Sequence, residues 1–131
     1  MAPELVLEKE YDWRVDIWSL GILCVELAEM RPPLFDLIPL KALFIITDYN
    51  KPPPTLQDPK SFPKLDLFIS NCLDKNPFNR KSASDLLEHP FVKESKSPLL
   101  LIELVDRFKQ QLLSKPKVSI FLFILFVFIF V

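Results

Sequence analysis

Glycine is nearly missing from this chain. Gly21 is the only one in 131 residues, so no loop can read G-x-G-x-x-G or G-x-x-x-x-G-K, and a glycine loop that cradles phosphate is excluded. Histidine is as scarce. His89 stands alone, is followed by Pro90 and has no cluster of further ligands around it, which excludes a zinc site and a histidine-centred triad and leaves a helix end as its expected place. The two cysteines, Cys24 and Cys72, are far apart in sequence and each sits among apolar neighbours. They read as buried free thiols of a reducing, cytoplasmic setting and not as a disulfide framework. Neither sign of charge is in excess: 16 Lys and Arg face 17 Asp and Glu, for a net charge of −1, so there is no basic stripe for DNA or RNA. The start, Met1 to Asp12, is acidic and interrupted by proline. It has no apolar run behind a basic flank, so no cleavable signal peptide is expected.

What is abundant is apolar side chain and proline. Half of the residues are hydrophobic, enough for one sizeable core, and 13 prolines fall mostly between the apolar stretches. This pattern predicts helices joined by stiff loops, an all-α fold. The stretch from Val15 to Met30 is apolar except at Asp16, Ser19, Glu26 and Glu29, which predicts a central helix wrapped by other elements. Asp12 is its expected N-cap, Asp16 sits in its first turn, and Pro32 ends it. A second helix is expected over Pro39 to Ile46, with Leu40, Leu43 and Phe44 at helical spacing. A polar, proline-rich loop from Asp48 to Phe62 follows. A third helix from Pro63 to Leu73 puts Leu65, Phe68, Ile69, Cys72 and Leu73 on one face. A fourth, capped by Ser82 or Ser84, turns Leu86 and Leu87 inward. A fifth runs from Pro98 to Leu113, with Leu101, Leu104, Val105, Phe108 and Leu112 at spacings of three and four.

The last segment differs in kind. Ile120 to Val131 is twelve residues of Ile, Leu, Phe and Val, five of them Phe. As a helix it would reach roughly 18 Å, short of a hydrocarbon core of about 30 Å. Read-through into non-coding sequence, or a wrong final exon, is the preferred explanation. A short membrane anchor with Lys115 and Lys117 as its basic flank is the alternative. In either case the segment is β-branched, aromatic and uncharged, and therefore prone to aggregate.

Four short motifs occur in a telling order: Ala2-Pro3-Glu4; Asp16-Ile17-Trp18-Ser19-Leu20-Gly21; Asn76-Pro77-Phe78-Asn79-Arg80; and Leu86-Leu87-Glu88-His89-Pro90-Phe91. Each is weak alone. In this order and at these separations they resemble the closing landmarks of protein kinase domains. The stretch from Leu27 to Leu34, followed by Leu40 to Ile46, is similar to the germinal centre kinase group of the sterile-twenty class, whose substrates are serine and threonine hydroxyls. Trp18-Ser19-Leu20-Gly21 also resembles the serine/threonine form more than the tyrosine-kinase form. The resemblance covers residues 1 to 92, a C-terminal helical lobe; residues 93 to 115 are expected to form an extension helix, and 116 to 131 match nothing.

The resemblance implies structural roles for four residues. Glu4 is expected to pair with Arg80 and so pin the activation segment to the helical lobe. Asp16 is expected to accept backbone N–H bonds from the catalytic loop, and Trp18 to stand in the central post of the lobe. No residue is expected to be catalytic, cofactor-binding or metal-ligating, because phosphoryl transfer in this family needs a glycine-rich loop, a strand lysine, an H-R-D aspartate and a D-F-G aspartate. None can be found among these 131 residues. ATP, magnesium and protein substrates or regulators are implied only for an intact kinase, of which the chain is expected to be a fragment begun too late by its gene model. A non-catalytic binding or decoy module is the alternative. Since the family encloses the Val15 to Met30 helix partly with upstream elements, one side of Ile17, Leu20, Cys24 or their neighbours is expected to lack cover.

Overall fold

In the computed structural model, residues 1–95 and 97–114 are described. All regular structure among them is helical. The chain divides into two compact units, Met1–Glu94 and one that begins at Ser95.

The first unit contains α1 (Pro3–Val6), α2 (Arg14–Glu29), α3 (Pro39–Thr47), α4 (Pro63–Cys72), a 3-10 turn (Pro77–Asn79), α5 (Ala83–Leu87) and α6 (Pro90–Lys93). Proline opens most of these elements. Pro3, Pro39, Pro63, Pro77 and Pro90 stand in the first turn of α1, α3, α4, the 3-10 turn and α6, where the missing N–H costs nothing and the ring already holds a helical φ. Leu56 is buried in the middle of the proline-rich loop and ties it to the core.

The core forms where α2 crosses α4, and Ile17, Trp18 and Val25 of α2 meet Phe68, Ile69, Cys72 and Leu73 with Ala2, Leu56 and Leu86 around them. Gly21 makes this crossing possible. A Cβ there would lie 2.7 Å from the Cβ of Cys72 and from Cγ and Cδ2 of Leu73, so any larger residue forces the helices apart. The chain's single glycine serves close packing.

Several expectations need correction. Helix α2 has the uncovered side expected around Leu20, and so is not wrapped by other elements as its apolar sequence suggested: Leu20, Leu23 and Leu27 are exposed, Leu27 at 68%, whereas Ile17 is buried and Cys24 partly so. Its N-cap is Trp13 and not Asp12. The Asp12 carboxylate still accepts the Arg14 N–H at 3.0 Å, satisfying one of the free donors of the first turn from one residue farther out. At the other end Met30, in a left-handed conformation with φ 58°, stops the helix before Pro32 is reached. Helix α3 buries no residue fully, and Leu40 and Phe44 face outward, Phe44 at 71% exposure. In α5 only Leu86 turns inward; Leu87 is exposed, because adjacent residues of a helix point about 100° apart and cannot share one face.

Elsewhere the local readings match. Ser82 caps α5 in a capping box, its hydroxyl accepting the Asp85 N–H while the Asp85 carboxylate accepts the Ser82 N–H. His89 caps α6 through Nδ1, which accepts the Phe91 N–H at 3.1 Å, and its ring packs edge-on against Phe68.

The second unit contains a 3-10 turn (Pro98–Leu101) that runs into α7 (Ile102–Ser114). The hydroxyl of Ser97 accepts the Leu99 N–H at its start. Leu101 of the turn and Ile102, Val105 and Phe108 of α7 are exposed. No described helix is long and apolar enough to cross a membrane; the tail from 116 to 131, for which an anchor was weighed, lies outside the described residues.

Candidate functional site

Arg80 is the centre of the most heavily bonded polar cluster in the first unit. It follows the 3-10 turn that Asn76 nucleates, the Asn76 side chain accepting the Phe78 N–H at 3.1 Å. That turn packs against α2, so the arginine enters the core from the side, with its side chain fully buried at 0% exposure. NH1 donates to Glu4 Oε1 at 2.6 Å and NH2 to Glu4 Oε2 at 2.8 Å, a fork-to-fork pair across 76 positions of sequence. NH1 also donates to the Arg14 carbonyl at 2.8 Å, and Nε to the Asp74 carbonyl at 2.8 Å. The guanidinium lies over the Trp18 ring, 5.1 Å from its centroid.

This one side chain therefore joins four places in the chain: α1 through Glu4, the start of α2 through Arg14, the post of α2 through Trp18, and the turn after α4 through Asp74. Lysine could not replace it, since a single ammonium cannot meet two carboxylate oxygens and two carbonyls set in one plane. Burial pushes the Glu4 carboxyl up, but the hydrogen bonds from Arg80 and the Glu4 backbone, together with the arginine charge, outweigh it. The net result is a carboxyl held below its ordinary value.

The other two residues named from sequence fall differently. Trp18 is completely buried, as a core post should be, although its Nε1 has no hydrogen-bond partner among the described residues. Asp16 is exposed on the first turn of α2, where its N–H donates to the Trp13 carbonyl while its carboxylate makes no hydrogen bond or ion pair among the described residues. It is not brought to the Glu4–Arg80 cluster.

Sequence reasoning overlooked Lys75. This lysine is buried, and its Nζ donates to the Ile45 and Asp48 carbonyls, each at 2.7 Å. It thus binds the C-terminal end of α3, where a cation is favoured, to the segment leaving α4. Burial lowers the Lys75 ammonium from its usual range, opposed by the charge of Asp48. A lysine directly after Leu73 and Asp74 carries no periodic signal, so only tertiary placement shows its role.

The arrangement is a clasp and not a reaction centre. The single glycine lies in the α2–α4 crossing and not in a phosphate loop, and His89 Nδ1 is occupied by the α6 cap. Among the described residues no three His, Cys, Asp or Glu side chains converge as a metal site would require. Two grooves, of about 270 and 420 Å³, are lined by the 31–36 and 54–57 loops and by Tyr49, Asp74 and Lys75 respectively; neither is lined by Glu4 or Arg80.

Residues 1–92 match the family model for the protein kinase domain. The chain is 45% identical over 107 residues to serine/threonine-protein kinase 4 homolog A of Dictyostelium discoideum, covering 81% of this chain and 23% of that protein. It is 46% identical over 108 residues to the serine/threonine-protein kinase pakF of the same organism, covering 82% and 9%. To the serine/threonine-protein kinase TAO3 of Gallus gallus it is 45% identical over 112 residues, covering 83% and 12%. The chain thus spans less than a quarter of the length of these relatives. With the Glu4–Arg80 clasp, the buried Trp18 post and the family match over residues 1–92 all falling within one helical unit, the chain belongs to the protein kinase family, in the sterile-twenty class of serine/threonine kinases.

Proposed function

We propose that the protein to which these residues belong transfers the terminal phosphoryl group of ATP, with magnesium, to serine and threonine hydroxyls of other proteins. Within it, the residues described here serve as anchor and not as catalyst. The observation that carries this reading is the buried Glu4–Arg80 pair, which fastens the segment around Ala2, Pro3 and Glu4 to the α2 post. A segment that must present a substrate hydroxyl needs such a rigid footing, since misplacement by about 1 Å can cost a hundredfold in rate. The 131 residues by themselves are expected to show no saturable heat with magnesium ATP in calorimetry. The reduced thiols of Cys24 and Cys72 support a cytosolic setting.

The test is an assay of the protein expressed from the complete coding frame, with labelled ATP and a generic protein acceptor. Phosphate on serine and threonine is expected, and Arg80→Lys is expected to lower kcat by roughly tenfold or more through the loosened segment. Absence of transfer by the complete protein, or saturable nucleotide binding by these residues alone, would overturn the reading.

A further inference from the structure

We propose that the ridge formed by Pro52, Pro53 and Pro54 is a docking site for a polyproline-reading domain with a single aromatic cleft and an acidic rim, of the WW type. The inference does not depend on the kinase reading. Its first support is the shape of the segment. Lys51, Pro52 and Pro53 each precede a proline, which holds them extended, and each proline fixes its own φ, so covalent structure favours polyproline II along the run. The ridge stands between the two grooves: Pro53 lines one beside Lys51 and Tyr49, and Pro54 the other beside Phe35 and Thr55. Pro52 and Pro53 are exposed, and Pro54 is half-buried. The second support is that both ends are clamped. Before the ridge, the Lys51 N–H donates to the Asp48 carbonyl at 3.0 Å and the Asn50 N–H to the Asp48 carboxylate at 2.9 Å. After it, the Thr55 hydroxyl donates to Asp66 Oδ1 at 3.0 Å, Leu56 is buried in the core, and the Gln57 N–H donates to Glu29 Oε1 at 2.9 Å. A partner therefore meets a segment already ordered, and little entropy is lost in binding it.

The third support says what fits the ridge. The carbonyls of Lys51, Pro52, Pro53 and Pro54 accept no hydrogen bond among the described residues, and proline has no N–H to offer. The ridge thus presents pyrrolidine rings and free acceptors. Aromatic side chains that stack on such rings and donate an N–H or O–H to such carbonyls satisfy both, whereas an added β-strand would find no donors and a lipid surface would leave the carbonyls unpaired. Charge narrows the partner further. Lys51 is exposed and forms no ion pair among the described residues, so a cleft with an acidic rim is the complementary one. Polyproline II makes a turn every three residues, and the position three beyond Pro52 is Thr55 and not proline. The ridge therefore fills one cleft, and not the two that a P-x-x-P segment spans, which favours a WW-type groove over an SH3-type one.

The full chain, captured at low density on a biosensor surface so that its copies stay apart, is probed with a panel of purified WW and SH3 domains. Each domain is tested beside a version whose cleft tryptophan is replaced by alanine. Saturable binding is expected from WW domains with an acidic rim and none from their altered versions, which separates cleft binding from adhesion to the exposed leucines of α2. Pro52→Ala with Pro53→Ala is expected to weaken binding by roughly tenfold or more. Lys51→Glu, at an exposed position with no ion pair to lose, is expected to weaken it by roughly threefold, and high salt to do the same. Leu23→Lys in α2 should leave it unchanged. Absence of saturable binding from every WW domain of the panel would overturn the proposal, as would binding that survives both the proline and the Lys51 variants. Should the double proline variant lose helicity in circular dichroism, Lys51→Glu decides alone, and binding unchanged by it sinks the assignment. Tighter binding by the SH3 domains would overturn the single-cleft reading.

Discussion

Arg80 shows how much one side chain can decide when it is buried with all its partners in place. Its charge is matched by Glu4 and most of its N–H groups by Glu4 and the carbonyls of Arg14 and Asp74, so the pair avoids the penalty of an uncompensated buried ion. Removing one partner restores that penalty, about 3 to 5 kcal/mol. Glu4→Gln is therefore expected to release α1. Hydrogen exchange at the amides of Leu7 and Lys9, which donate to Pro3 and Glu4 carbonyls, should accelerate by roughly a hundredfold; unchanged protection would show that α1 is held by its apolar contacts alone. The same pair sets an acid dependence. The Glu4 carboxyl is lowered in the folded chain, so its contribution is present above the unfolded value near pH 4.3 and is lost as pH falls through the folded value. Glu4→Gln should flatten that acid limb in a pH series of helicity. The thiols give a further residue-level test. Burial, and then the neighbouring Cys24, push Cys72 up to about 12, and burial raises Cys24 as well. Neither is expected to react with iodoacetamide at neutral pH until urea opens the core; rapid labelling of Cys72 in the folded chain would contradict the packing described.

Among elements, the α2–α4 crossing is the contact on which the first unit depends, and Gly21 sets its distance. An alanine at position 21 gains up to about 1 kcal/mol of helix propensity. Its Cβ, however, meets Cys72 Cβ and the Leu73 side chain at 2.7 Å, and Cys72 Cβ, fixed to the backbone, cannot swing aside. Overpacking of this kind costs about 1 to 3 kcal/mol, so Gly21→Ala is expected to lower the thermal midpoint and Gly21→Val to prevent the crossing. A midpoint raised by alanine would mean that the helices separate freely. The short elements rely on caps instead of area: α5 on the Ser82–Asp85 box and α6 on His89. The end of α3 is held by Lys75, because none of its own side chains is fully buried.

For the whole molecule, the open face of α2 sets the limit on stability. Each large aliphatic side chain left in water forfeits roughly 1.5 to 3 kcal/mol against full burial, and whole domains retain only about 5 to 15 kcal/mol. Leu20, Leu23 and Leu27 are all exposed. A broad thermal transition and strong binding of a hydrophobic dye are therefore expected. Leu23→Lys with Leu27→Glu should reduce the dye signal while changing stability by no more than about 0.5 kcal/mol each, as for ordinary surface positions. A sharp transition with no dye binding in the unaltered chain would show that this face is covered after all.

What the sequence determined by itself was the content of local rules. Proline at helix starts, Ser82 at a cap, period-three and period-four apolar spacing in α4, and the all-α class follow from interactions within a few residues. The motifs around Glu4 and Arg80 announced a pairing because their order resembled a known family, and not because spacing alone could bring together residues 76 apart. Which apolar faces are covered was decided only by the tertiary structure. Helix α2 is apolar on nearly every side, so no periodicity marks its buried stripe, and only the position of α4 selects Ile17, Trp18, Gly21 and Val25 over Leu20, Leu23 and Leu27. Lys75 and Gly21 belong to the same class. Burial of a lysine and closeness of a backbone are properties of two segments meeting, and a single stretch of sequence does not contain them.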